Sequence, residues 1–207
     1  MKKTLTLVLA ASCLATAQIR PVIDLQGGFA FPKITGSSAD EQAGWAFRVG
    51  AGAAIPVNPQ FDILLTGGFG MANAGSEDSE DGNTTTITLT PRFIDIDGTA
   101  LWKASPQFGL MGGLVMTIPI GGTYEYEFTS EDYPQYNESE DGDIDDLADL
   151  ADADINNFMS LKIGGQYMLG EKNALTLSYL LPMGKYFDGD GFSCEIARLM
   201  AGVQFAL

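Results

Sequence analysis

The chain has 207 residues, a formal net charge of −16 and no histidine. That length fits a single domain. With 11 Lys+Arg against 27 Asp+Glu it lacks the basic surface that a nucleic-acid backbone requires, so no nucleic-acid partner is expected. The missing His excludes Ser-His, Cys-His and His-metal mechanisms. At 45% apolar residues the chain can bury surface and is not a disordered acidic tail.

The first residues read as an address. Lys2 and Lys3 form a positive n-region, Leu5 to Leu14 an apolar run, and Ala15-Thr16-Ala17 a small-x-small cleavage pattern. The run is too short to span a bilayer as a helix. A signal peptide at 1–17 and a mature start at Gln18 are expected. Its removal takes two lysines and no acid, which moves the charge from −16 to −18. Cys13 leaves with it, so Cys194 has no partner for an internal disulfide. With no His beside it, Cys194 reads as a buried, inert thiol.

After the leader no run of about 18 apolar residues occurs, and alternation with period two takes over. The first apolar face is Ile23, Leu25, Gly27, Phe29 and Phe31, and the second is Trp45, Phe47, Val49, Ala51, Ala53 and Ile55. The third is Phe61, Ile63, Leu65, Gly67 and Phe69. The fourth segment, Thr86 to Phe93 and on towards Trp102, contains Pro91. Its apolar parity moves to Ile94 and Ile96, which predicts a bulge or two joined registers. A fifth face runs from Phe108 to Ile120, a sixth from Met159 to Leu169, a seventh from Leu175 to Met183 and an eighth from Ala197 to Leu207. Tight turns are expected at 57–60, 104–107 and 170–173, and longer polar loops at 32–42, 72–85, 121–157 and 187–193. Eight strands so linked form an up-and-down meander with both termini on the short-turn side.

The faces opposite the apolar ones carry mostly Gly, Ala, Thr and Ser with a few charges. Small residues suit the interior of a narrow eight-stranded barrel. Asp24, Arg48, Asp62, Arg92, Lys162 and Arg198 are expected to pair inside it, because a charge buried alone is costly. The apolar faces then meet lipid, and closure leaves no sheet edge in hydrocarbon. The fold class is therefore all-β: an eight-stranded antiparallel up-and-down transmembrane β-barrel. Aromatics at the strand ends read as two girdles. One holds Phe61, Trp102, Phe108 and Phe205; the other holds Phe31, Trp45, Phe69, Tyr124, Phe158 and Tyr186.

The leader, the eight alternating segments, the short turns, the long loops and the closing Ala201-Gly202-Val203-Gln204-Phe205-Ala206-Leu207 resemble the small outer-membrane β-barrel family, which includes OmpA-like membrane domains and OmpX-like barrels. The last strand of that family ends in an aromatic residue; here Phe205 stands two residues before Leu207. The resemblance implies a barrel domain at 18–207 in a Gram-negative outer membrane, with lipid as its partner and the long loops outside the cell.

The loops carry the candidate chemistry. Glu77-Asp78-Ser79-Glu80-Asp81-Gly82 and Asn137-Glu138-Ser139-Glu140-Asp141-Gly142-Asp143-Ile144-Asp145-Asp146 share Ser-Glu-Asp-Gly. The second stretch has the sixth-position Gly and eighth-position Ile of a calcium loop, but Ala148 stands where a bidentate Glu is required. A solvated acidic loop that keeps the exterior soluble is the expectation, with weak Ca²⁺ or Mg²⁺ association at it as the alternative, and with no tight metal site and no cofactor. Ile144, Leu147, Ala148, Ala151 and Ile155 have helical spacing and predict a short amphipathic helix able to cap the barrel mouth. Asp95 and Asp97 are the acid-base candidates, read as lying at a strand end near water. No catalytic residue is assigned. The leading expectation is a structural or interaction protein displaying acidic loops to an unspecified extracellular partner. The alternatives are a narrow transport channel (inward glycines could leave a water path) and a secreted soluble barrel holding an apolar ligand.

Overall fold

A computed structural model of the chain describes residues 19–36, 39–189 and 192–207, so the expected leader at 1–17 lies outside the described residues. The strands are β1 (Arg20–Thr35), β2 (Asp40–Gln42), β3 (Gly44–Asn58), β4 (Phe61–Ala72), β5 (Ala74–Glu80), β6 (Asn83–Lys103), β7 (Phe108–Ser130), β8 (Glu138–Asp143), β9 (Ala153–Ile155), β10 (Phe158–Met168), β11 (Asn173–Pro182), β12 (Phe187–Gly189) and β13 (Phe192–Ala206). One α-helix, α1 (Ile144–Leu150), lies between β8 and β9. Eight of the described strands close into a ring, in the order β1-β3-β4-β6-β7-β10-β11-β13 and back to β1, every pairing antiparallel. This is the expected up-and-down barrel.

Period-two alternation sets the two faces. Leu25, Phe29, Leu65, Ile96, Ile163 and Leu177 are 45–60% exposed, while their chain neighbours Asp24, Gln26, Asp95, Asp97 and Lys162 are buried. A soluble monomer seldom leaves so continuous an apolar surface in water, and in hydrocarbon it needs no cover. Among the described residues no helix is long and apolar enough to cross a membrane. The crossing is made by strands.

The three tight turns fall where expected, between β3 and β4, β6 and β7, and β10 and β11. Two of them repeat a Pro-Gln-Phe step with the same local chemistry. Asn58 Oδ1 accepts from the backbone N–H groups of Gln60 and Phe61 at 2.8 and 2.9 Å. Ser105 Oγ accepts likewise from Gln107 and Phe108 at 3.3 and 3.0 Å. Short polar side chains often bond the backbone two residues on and fix the turn. The start of the described chain and its last residue meet at this end, where the Leu207 N–H donates to the Pro21 carbonyl.

The other end departs from the expected loops. About ten residues suffice to cross a bilayer as a tilted strand, and β11 has 10. Strands β6 and β7 have 21 and 23, so half of each stands beyond the belt. The segment 72–85 is an extension of the sheet, with β5 pairing β6 across an Asp81-Gly82 turn. Strands β2-β5-β6-β7-β8 continue side by side as a ribbon above the ring. The polar composition that reads as loop is that of strands beyond the belt, where lipid no longer demands an apolar outer face.

The irregularity near Pro91 is real but belongs to the neighbouring strand. Pro91 faces Gly122 and Phe93 faces Pro119, so the extra residue lies on β7, where Gly121 has φ +108°. Strand β6 keeps one parity throughout: Leu89, Pro91, Phe93, Asp95, Asp97, Thr99 and Leu101 all face inward. The inner face changes from apolar to ionic, and that change resembles a register switch in the sequence.

Candidate functional site

The lumen is built in layers. Near the short-turn end Val22, Ala54, Leu64, Leu101 and Met111 form a small apolar cluster, the first four of them lining a cavity of about 370 Å³. Below this cluster Asp62 accepts from Arg20 and Lys103, each at 2.7 Å. Above it lies the ionic layer. Asp24 binds Arg48, which also reaches Asp95 at 3.6 Å and donates to Thr66 Oγ1 at 3.0 Å. Arg198 donates to both oxygens of Asp95, at 2.9 and 3.1 Å, and to Thr117 Oγ1 at 2.9 Å. Lys162 donates to Asp97, which also accepts from Thr99. Each charge is desolvated, and each has an opposite charge within hydrogen-bond reach, the condition under which burial is tolerable.

Glycines on the inner face admit these groups. A Cβ on Gly50 would stand 2.6 Å from Asp24 Oδ1, and a Cβ on Gly70 would stand 2.2 Å from Cε2 of Phe93. The space left by these glycines is filled by a carboxylate and a ring. Free volume within the ionic layer is about 10 Å³, room for one water at most.

Five of the six charges expected inside are there. Arg92 is the exception: it is exposed on the outer face, because β6 keeps the parity that puts Phe93 inside. Phe93 in turn supports Arg198, whose guanidinium carbon lies 4.3 Å from the ring centroid. Asp95 and Asp97 are not near water. They sit at the centre of the ionic layer, held by cations, which leaves neither free for acid-base work.

An apolar plug fills part of the long-loop end, where Phe93, Val115, Phe158, Leu180 and Met200 pack below Ile144, Ala148, Tyr186 and Phe187. Helix α1 caps the mouth as its spacing predicts, with Ile144 and Ala148 buried, although it stops at Leu150 and Ile155 belongs to β9. Tyr124, Phe158 and Tyr186 are part of this plug and not of the outer girdle: all three are buried, the first two at inward positions of β7 and β10 and the third between β11 and β12. Phe31, Trp45 and Phe69 do face outward at this end, as do Phe61, Trp102, Phe108 and Phe205 at the other.

A family model described as outer membrane protein beta-barrel domain matches residues 4–205. The chain belongs to that family. Its place is the outer membrane, and the outward apolar belt removes the soluble-barrel alternative. Among solved structures, this outer-membrane barrel is similar to Ail, the attachment invasion locus protein of Yersinia pestis, at 14% identity and a TM-score of 0.41, over 89% of this chain and 98% of that one. Neisserial surface protein A matches at 8% identity and 0.46, covering 90% and 97%. OprG of Pseudomonas aeruginosa matches at 10% and 0.41, covering 91% and 96%. Likeness at these levels bears on neither activity nor partner. No curated protein matches the sequence.

The ribbon above the outer-membrane barrel carries the acidic groups. Glu125 stands directly opposite Asp141, and Tyr126 opposite Glu140. The stretch that imitates a calcium loop is divided between strand β8 and helix α1, which spreads its carboxylates along an extended backbone. Cys194 lies above the belt, where it pairs with Ile34, three residues before the membrane-crossing stretch begins at Ala197. It is buried, and desolvation pushes its thiol up to about 12. Sequence reading missed Phe93, Thr99 and Thr117 as parts of the lumen network; odd-number parity continued through Pro91 on β6 reaches the first two, and Thr117 lies on the face opposite the outward Leu114 and Met116 of β7.

Proposed function

We propose that this outer-membrane barrel acts as a closed scaffold that holds an acidic β-ribbon outside the cell, in a structural or interaction role without conduction or catalysis. The observation that supports the reading is the ionic layer, which fills the middle of the lumen and leaves only about 10 Å³ free there, between a cavity of about 370 Å³ on the short-turn side and the apolar cluster of the long-loop end. Short turns face the periplasm and long segments the exterior in such barrels, which directs the ribbon outward. With no His in the chain and its central carboxylates committed to cations, the barrel offers no activated nucleophile. Glu125 opposite Asp141 favours weak association of Ca²⁺ or Mg²⁺, because like charges across a strand pair repel until a cation lies between them. Lipid is the partner of the apolar belt.

The test is conductance of the folded mature chain in a planar bilayer, together with labelling of Ser79→Cys on intact cells by a membrane-impermeant maleimide. No stable current and prompt labelling are expected. Steady ohmic current would make the barrel a channel, and protection of the thiol until the cells are broken would reverse the topology.

A further inference from the structure

The long-loop end is plugged on one side only. Helix α1, Tyr186 and Phe187 cover the half against β7 and β10, while between the β1–β13 wall and the β5–β6 hairpin a cavity of about 340 Å³ remains. Ile34, Ala74, Ile87, Leu89, Phe192 and Ile196 supply its apolar lining. The hairpin's inward face changes character with height. Its cross-strand pairs run Ala74–Leu89, Ser76–Ile87, Asp78–Thr85 and Glu80–Asn83, from apolar at the base to acidic at the tip. Asp78 and Thr85 border this cavity and also a second hollow of about 230 Å³ edged by Glu80, Asp81 and Asn83. Among the described residues no Lys or Arg lines either space.

We propose that this half of the mouth binds a small amphipathic cation, a single alkyl or aryl tail carrying an amine or quaternary ammonium head. The tail lies among Ile34, Ile87, Leu89 and Phe192, and the head stands against Asp78 and Glu80. A cavity of this volume is at the small end of ligand pockets, about 300–1,000 Å³, which suits one tail and not a two-chain lipid. Charge decides the head: an anionic amphiphile of the same length would bring a negative group to unpaired carboxylates on a strongly acidic ribbon. The inference names a ligand for the interaction role and rests on that reading only for the closed floor beneath the cavity.

The test is equilibrium dialysis of octyltrimethylammonium against phosphatidylcholine nanodiscs with and without the folded chain, with octyl sulfate as the matched anion. One saturable site for the cation is expected above the empty-disc background, with the anion weaker by about tenfold or more. Affinity should rise about fourfold per methylene from the hexyl to the octyl cation. The exposed pair of changes Asp78→Asn and Glu80→Gln should weaken the cation about three- to tenfold. Ser76→Phe, which places a ring in the cavity mouth, should remove saturable binding in a barrel whose folding is checked by its unboiled gel mobility. Binding equal to empty discs, equal affinity for cation and anion, or indifference to Ser76→Phe or to the carboxylate changes would overturn the proposal. Current through the bilayer would overturn the closed-scaffold reading, whereas absent binding in a non-conducting barrel overturns only this one.

Discussion

Arg198 and Asp95 stand 103 positions apart in the chain and meet across the lumen in a two-pronged clasp, Nη1 to Oδ2 at 2.9 Å and Nη2 to Oδ1 at 3.1 Å. Thr117 completes it, donating to Asp95 at 2.7 Å while accepting from Arg198. The clasp ties β6, β7 and β13 together through the barrel interior, independently of the backbone ladder. Replacing one member leaves the other charged and dry. Arg198→Met is therefore expected to cost about 3–5 kcal/mol of folding free energy. Urea titration of the chain in lipid vesicles measures it. The double change Arg198→Met with Asp95→Leu should recover much of the loss, since two apolar groups restore a charge-free packing. A double variant no more stable than the single one would mean the clasp is not the origin of the effect.

Arg92 provides the contrast. It lies one residue from Phe93 on the same strand but is exposed on the outer face. Arg92→Gln should change stability by no more than about 0.5 kcal/mol, the usual range for a surface site. The same vesicle titration decides it, and a loss comparable to that of Arg198→Met would place Arg92 inside after all.

Leu114 is 46% exposed near the middle of the outer belt on β7. Leu114→Arg should destabilise the folded, lipid-embedded barrel by about 2–4 kcal/mol. A neutral result in vesicles would contradict the orientation of the faces.

Closure of the ring predicts that the folded chain resists SDS until boiled. Unboiled and boiled samples should run at different apparent sizes on a gel, and identical mobility would count against the β1–β13 seam.

The Cys194 thiol combines burial with a pKa raised to about 12, so at pH 8 almost none is thiolate, the reactive form. Iodoacetamide at that pH should leave the folded chain unmodified by mass and should alkylate it after denaturation. Rapid modification of the folded barrel would show that this part of the mouth opens.

How far the sequence could be read varies by residue. The outward faces were legible because alternation needs only local information: Ile23 to Phe31 or Met159 to Leu169 declare a side whatever their neighbours are. The inward charges Asp24, Arg48, Asp62, Lys162 and Arg198 followed from the same alternation. Tyr124, Phe158 and Tyr186 did not, since an aromatic near a strand end looks the same in a girdle and in a plug. The acidic segments at 72–85 and 121–157 look like loops because strands beyond the belt have no lipid-facing apolar side and so lose the alternation that marks a strand, and their pairing partners are distant.

By itself the sequence determined the eight strands of the ring, the turn side and the side that meets lipid, because the pleat gives each residue one of two directions. Only the tertiary structure decided how the middle of the lumen is occupied. Which carboxylate meets which cation depends on the register between strands many residues apart, and with it goes the use made of the glycines. In this chain those positions receive the Asp24 carboxylate and the Phe93 ring, and the middle of the lumen is filled.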